Sequence, residues 1–242
     1  MIYQQPAFVL HSRPYRETSV MLTLFTPEFG KLNATVRGVR SGGKAAVQKQ
    51  AWLQPFQALQ IQWRGAENQV SEWIHPQGFE PHGVAIGLKG EASLCGLYLN
   101  ELLYRLLQTC APMEALFLHY QQTLQLLHQA DTRDHQAWCL RQFELALLSE
   151  LGYELDLVQD HQSQPILDSI FYTYRPELGF IALHPNYANS SEWSMAGECL
   201  IKLAQKEFCK DCLPAWKQLM RRVLHPHLGP KPLATRQLFK SF

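Results

Sequence analysis

Six cations, Arg13, Arg16, Lys31, Arg37, Arg40 and Lys44, fall in one short stretch near the N-terminus, where Glu17 and Glu28 are the only acids. Tyr15, Phe25 and Phe29 lie among them. A guanidinium is a planar fork that pairs with phosphate and stacks on flat rings. Cations interleaved with aromatic side chains are how a protein groove tracks a phosphate backbone and stacks unpaired bases. The chemistry available here is therefore the holding of a polyanion, with no bond made or broken. Phe25 sits in an apolar run and is expected in the core. Tyr15, in the turn expected around Arg13-Pro14, and Phe29, before Gly30, are expected to be exposed.

Other constellations are weaker. Gly38 to Ala45 has the glycines of a phosphate loop but not the GxxxxGK[ST] spacing, and Ala45 stands where a Mg²⁺-binding hydroxyl belongs. Cys209-x2-Cys212-x12-His225-x-His227 approaches a zinc-finger pattern. A single residue separates its histidines, where three to five are needed. Free cysteines at a helix–helix turn are the expected state of that pair. The ten histidines are scattered, and no nucleophile elbow or HExxH is present. No catalytic residue, metal or cofactor is expected, and the chain reads as a non-enzyme.

Charge is segregated. Residues 1–64 carry eight Lys/Arg against two Asp/Glu; residues 65–160 carry four against thirteen; residues 161–242 carry ten against six. The overall +1 thus hides two basic ends around an acidic middle, a footprint expected of a polyanion binder.

The elements that must position these residues follow from periodicity. Ala7–Leu10, Val20–Phe25 and Leu32–Val39 are short β-rich runs bounded by Pro and Gly. Strand character is expected to continue over residues 45–80, in Phe56–Trp63 and Val70–Ile74, with 64–68 as a turn and 41–44 as a flexible basic loop. About five strands in the first 80 residues fit a small barrel of the OB type. After Pro81 the period becomes helical: helices are expected over Gly90–Gln108, Met113–Gln129 and Asp134–Leu151. Asp131 or Asp134 is expected to cap the third, and Gly152 to stop it. Residues 170–183 read as a hairpin. A further helix is expected to open at Ser190, Ser191 and Ser194, and a last one over Pro214–Leu224. The fold class is α+β: an N-terminal OB-fold barrel (1–80), then a mainly helical domain (81–242) with a hairpin insertion (153–190). Six cysteines without secretory features are expected as buried or free thiols. Cys95, Cys110 and Cys139 are expected as core packing in helical contexts. With no secretory signal and no membrane-length apolar run, a cytoplasmic protein is expected.

Read in order, the chain resembles the RecO family of bacterial recombination-repair mediators. The resemblance is carried by Phe8-Val9-Leu10-x-x-Arg13-Pro14-Tyr15-x-Glu17-x-Ser19, Leu24-Phe25-Thr26-x-x-x-Gly30, Arg37-Gly38-x-Arg40 and Leu53-Gln54-Pro55-Phe56. It continues through Asn100-Glu101-Leu102-Leu103, Leu140 to Leu148, Leu151-Gly152-Tyr153, Leu228 to Leu233 and Arg236-x-Leu238-Phe239. It implies binding of single- and double-stranded DNA, strand annealing without ATP, and action with RecR to help RecA displace single-stranded-DNA-binding protein. It also implies that the acidic, Phe-ended tail of that protein docks on the helical domain with the participation of Arg141. An internal pair of Arg141 with Glu144 or Glu101 is the alternative. Many relatives carry a four-cysteine zinc module after Leu-Gly-Tyr; residues 154–184 here have no cysteine, so that metal site is expected to be absent. The expected DNA surface is Arg13, Tyr15, Arg16, Lys31, Arg37, Arg40 and Lys44. A protein-interaction adaptor and an RNA-binding OB protein are the alternative functions.

Overall fold

The computed structural model describes residues 1–66, 71–184 and 193–239. By packing, the chain forms two compact units, Met1–Ala130 with Pro232–Phe242, and Asp131–Lys231. This cut differs from the chain-order division at residue 80.

In the first unit, six strands run in the order β5-β3-β2-β1-β4-β6. They are β1 (Ile2–Tyr15), β2 (Ser19–Thr26), β3 (Gly30–Val36), β4 (Ala58–Arg64), β5 (Trp73–Ile74) and β6 (Pro76–Pro81). The first half of β1 pairs with β4 and the second half with β2. The strand bends at a register shift between Val9 and His11, as an extra residue in one strand of a pair requires. The two edge strands, β5 and β6, are consecutive in the chain. Residues 73–81 therefore pair first with β3 and then with β4. One segment bridges both edges of the curled sheet, giving the OB-like barrel expected from the sequence.

Strand burial explains the sequence pattern. β3 alternates buried and half-buried residues, as a strand with one face on the core does. β2 is buried almost throughout, because Leu22 and Leu24 belong to the barrel core while Phe25 meets Phe117 on the other face. The interior holds Val9, Leu22, Leu24, Leu32, Leu59, Ile61 and Trp63. On the outside, Phe8 and Phe25 pack against Phe117 and Tyr120 of α3 (Glu114–Gln129).

In the strands and loops of the barrel, two expectations need correction. Strand β1 runs from Ile2 to Tyr15, well beyond the Ala7–Leu10 run and through the turn expected around Arg13-Pro14. Pro14 is tolerated because β1 pairs with β4 only up to Phe8, so no strand on that side needs its missing N–H. Residues 43–52 form helix α1 (Gly43–Trp52) and neither a loop nor a strand; Lys44, Ala45, Ala46, Gln48 and Lys49 are good helix formers.

Helix α2 (Gly90–Leu106) carries a buried polar link. Asn100 is buried; its Nδ2 donates to the Val9 carbonyl at the β1 bend, and its Oδ1 accepts from the Tyr120 hydroxyl at 2.5 Å. The loop after α2 docks on the β2–β3 turn. Cys110 N–H donates to the Lys31 carbonyl and Met113 N–H to the Pro27 carbonyl. Gly30, with φ +56°, faces this loop, and a Cβ there would drive into the carbonyl oxygen of Ala111. Cys110 lies in that loop and not in a helix, half-buried against the barrel core.

The second unit contains α4 (Arg133–Glu150), β7 (Phe171–Arg175), β8 (Gly179–Ala182), β9 (Met195–Ala196), α5 (Gly197–Ala204) and α6 (Leu213–Leu228). Thr132, not Asp131 or Asp134, caps α4, its side chain accepting from His135 N–H. Gly152 follows α4 at φ +79°. The β7–β8 hairpin forms as expected, with β9 on its other edge. Ser190 and Ser191 lie outside the described residues; α5 begins later, at Gly197. Helix α6 continues through Pro226 to Leu228, past the expected end at Leu224. Trp216 is fully buried, 5.0 Å from the ring of Trp138.

Cys199 and Cys212 form a disulfide with a Cα–Cα distance of 5.5 Å, which overturns the expectation that all six thiols are free. The turn between α5 and α6 sets the start of α6 beside α5, so Cys212 bonds to Cys199. Cys209, its neighbour in the CxxC spacing, stays free. Cys95 and Cys139 are buried free thiols. Among the described residues no group of three or more His, Cys, Asp or Glu is placed to hold a metal ion, and no helix is long and apolar enough to cross a membrane.

Candidate nucleic-acid interface

Strand register decides which cations share a place. Arg13 lies opposite Met21, and Met21 opposite Thr35; Pro14 lies opposite Val20, and Val20 opposite Val36. The end of β1, the start of β2 and the end of β3 are thus level, and Arg13, Tyr15, Arg16, Arg37 and Arg40 emerge at one end of the sheet. Hydrogen bonds tie this end together. Arg40 N–H donates to the Thr18 carbonyl at 2.9 Å, and Arg40 Nη1 to the Arg16 carbonyl at 3.2 Å. Arg16 takes the left-handed φ of 53° at the hairpin tip, and its guanidinium sits 5.1 Å from the centre of the Tyr15 ring, which is half-buried where exposure was expected. The Arg13 guanidinium packs on Met21 Sδ, with Nη2 at 2.8 Å. Lys44 is exposed on the first turn of α1. Glu17 shares the tip.

Lys31 is placed elsewhere. Its register partner is Phe25, at the opposite end of β2. Its ammonium donates to the Tyr104 carbonyl at 2.8 Å and lies 5.8 Å from the Tyr104 ring centre. Burial lowers its pKa from the ordinary lysine value, while Glu72 pulls the other way. Phe29 is also withdrawn, contrary to expectation: it is half-buried, edge-on to Tyr3 at 5.3 Å and to Trp63 at 5.4 Å. Phe25 is fully buried, as expected.

The same end of the barrel holds an open groove of about 550 Å³, lined by Thr35, Arg37, Lys49, Trp52, His75 and Phe79 among others. Lys49 Nζ donates to the Arg37 carbonyl at 3.1 Å, and Trp52 stands edge-on to Phe79 at 6.0 Å and 87°. Sequence reasoning passed over Lys49, Trp52, His75 and Phe79. A helical reading of 43–52 would have placed Lys49 and Trp52 on one face, three residues apart.

Arg141, in the second unit, is 6% exposed. Its Nη2 lies 2.7 Å from Glu144 Oε1, one turn along α4, and among the described residues its Nε finds no hydrogen-bond partner. Glu101 does not serve it. That carboxylate accepts from the Ala234 and Thr235 N–H groups and the Thr235 hydroxyl, capping the short helix α7 (Ala234–Leu238).

Comparison with known proteins agrees with this architecture. Residues 1–74 match the family described as Recombination protein O N terminal, and residues 88–237 match Recombination protein O C terminal. The chain is 42% identical over 240 residues, 98% of its own length and 94% of theirs, to the DNA repair protein RecO of Yersinia pestis (strain Pestoides F) and of Yersinia pseudotuberculosis serotype O:1b (strain IP 31758). The same identity and coverage hold for DNA repair protein RecO of Yersinia enterocolitica serotype O:8 / biotype 1B (strain NCTC 13174 / 8081). An OB-like barrel with a basic end, followed by a helical region and matched along nearly its whole length, makes this chain a member of the RecO family.

Proposed function

We propose that this protein binds DNA and anneals strands as a recombination mediator in DNA repair, without enzymatic chemistry. The carrying observation is the gathering of Arg13, Arg16, Arg37 and Arg40 at one end of the barrel by strand register. Tyr15 and Lys44 belong to the same proposed surface, and Lys49 extends it. Lys31, bonded to the Tyr104 carbonyl, contributes less. We assign the DNA-binding domain to residues 1–80 in chain order and the partner-binding role to the helical remainder. A basic surface that releases counterions from two strands lowers their mutual repulsion, which favours annealing.

Action with RecR, assistance to RecA, and docking of the tail of single-stranded-DNA-binding protein near Arg141 complete the proposal, in the cytoplasm. The buried Arg141 Nε, which has no hydrogen-bond partner among the described residues, supports an additional anion there. The test is annealing of complementary oligonucleotides with and without single-stranded-DNA-binding protein, comparing the intact chain with an Arg37→Glu/Arg40→Glu variant. Acceleration by the intact chain alone supports the reading. Equal acceleration by both overturns the surface, and no acceleration by either overturns the function.

A further inference from the structure

The groove beside the basic end has a definite cause. The β3–β5 ladder ends at Ala34 opposite Ile74. The chain then crosses at His75 to pair with β4, from Pro76 opposite Trp63. Pro76 has no N–H to continue any ladder. From Thr35 onward the edge of β3 is therefore left by the segment that covered it, and the seam of the barrel opens. Helix α1 reaches this opening with its last two turns, bringing Lys49 and Trp52.

Two half-buried rings at right angles, Trp52 and Phe79, make a corner in which a flat group laid against one ring meets the other. Two cations, Arg37 and Lys49, stand on the same wall, and among the described residues no acid lines the groove. A volume of about 550 Å³ is within the usual range for a small-molecule site. Ring faces joined to cations suit a base and its phosphate. A paired base cannot present its face to a protein ring, whereas an unpaired one can be splayed out and stacked.

We infer that the seam groove holds one unstacked nucleotide of a single strand, its base in the Trp52–Phe79 corner and its phosphate on Arg37 and Lys49. This rests on the DNA-binding reading and adds to it a site selective for unpaired strands. A base held out of the stack is presented singly, and an incoming complementary strand must lift it from the corner to pair with it.

The test uses the full chain, a fluorescent oligo-dT and a duplex of the same length, with binding followed by anisotropy. Trp52→Leu is expected to weaken oligo-dT binding about tenfold, leaving duplex binding and its salt dependence unchanged, and Trp52→Tyr to restore most of the loss. On the unaltered protein, an oligonucleotide carrying 5-iodouracil is expected to crosslink at Trp52 or Phe79. Equal loss for strand and duplex, no loss, or crosslinks confined to other residues overturns the nucleotide site. If a peptide with an exposed aromatic residue competes for the groove while oligo-dT does not, the groove is a protein site and the inference falls. Failure of the unaltered chain to bind any DNA would instead remove the DNA-binding reading itself.

Discussion

Arg141 and Glu144 form a buried ion pair, 2.7 Å between Nη2 and Oε1, within one turn of α4. Removing one partner of such a pair leaves the other buried charge less well compensated and costs up to about 3–5 kcal/mol, whereas replacing both with apolar groups is often neutral. Arg141→Ala should therefore lower stability by several kcal/mol, and Arg141→Met/Glu144→Leu should recover most of it, measured by urea denaturation. The double variant also tests docking with the fold kept. If Arg141 holds the tail of single-stranded-DNA-binding protein, a labelled acidic Phe-ended peptide binds the intact chain and not the double variant. Equal binding removes Arg141 from the docking site.

The basic end should be readable in salt. Removing one phosphate-binding cation reduces the slope of log affinity against log salt by about 0.7 for a single strand. Arg37→Glu/Arg40→Glu should weaken oligo-dT binding and flatten that slope, while Lys31→Gln, at the other end of β2, should leave both nearly unchanged. A Lys31 effect as large as that of the arginines would contradict its separation from the basic end.

Gly30 meets two demands at once: a positive φ of 56° and no room for a Cβ beside the Ala111 carbonyl. Gly30→Ala cannot be absorbed by a flexible side chain, since the obstacle is backbone. The expected cost is about 2–4 kcal/mol, seen as a drop in Tm. A shift within error would mean that the 109–113 loop moves freely.

The Tyr120 hydroxyl donates to Asn100, and burial raises its pKa well above the ordinary 10.0. A phenol whose folded pKa is raised contributes stability that is full below pH 10 and is lost as the pH rises further. Tyr120→Phe should cost about 1–2 kcal/mol at neutral pH by leaving Asn100 Oδ1 short of a donor. It should also flatten the decline in stability above pH 10. An unchanged alkaline slope would show that Tyr120 is not the group responsible.

The Cys199–Cys212 bridge closes a short loop, with a sequence separation of 13. A loop of this size is worth roughly 3 kcal/mol when the bond is intact. Cys212→Ala should melt earlier than the unaltered chain in oxidising buffer, and the difference should shrink in dithiothreitol. DNA affinity, assigned to the barrel, should not change.

Much of the fold was legible because burial imposes its period on the residues. β4, with alternating residues inside, reads as a strand, and α3 shows its stripe of Leu116, Tyr120, Leu124 and Leu127. Helix α1 was not legible, because its face on the barrel is small: Ala46 is its buried residue. Lys49 and Trp52 therefore could not be placed near Phe79, which is distant in sequence. Phe29 was misread for a related reason. A turn residue is usually exposed, yet this one fits between Tyr3 and Trp63. Lys31 and Arg37 look alike in sequence; register alone sends one onto α2 and the other to the open end.

The contact between Glu101 and the Ala234 amide spans 133 positions of chain. Ala234 follows residues 131–231 in the chain, so the first unit reaches its full set of contacts only after those residues have been made. During synthesis, α2 must therefore wait for α7, and the Glu101 carboxylate lacks these donors until residues 234–235 emerge. Deleting residues 232–242 should injure the N-terminal barrel's helical support, not the unit that precedes them in sequence. A fragment stopped near residue 80 would lack α2 and α3 as well, and would expose Phe8 and Phe25 to water as an aggregation-prone face.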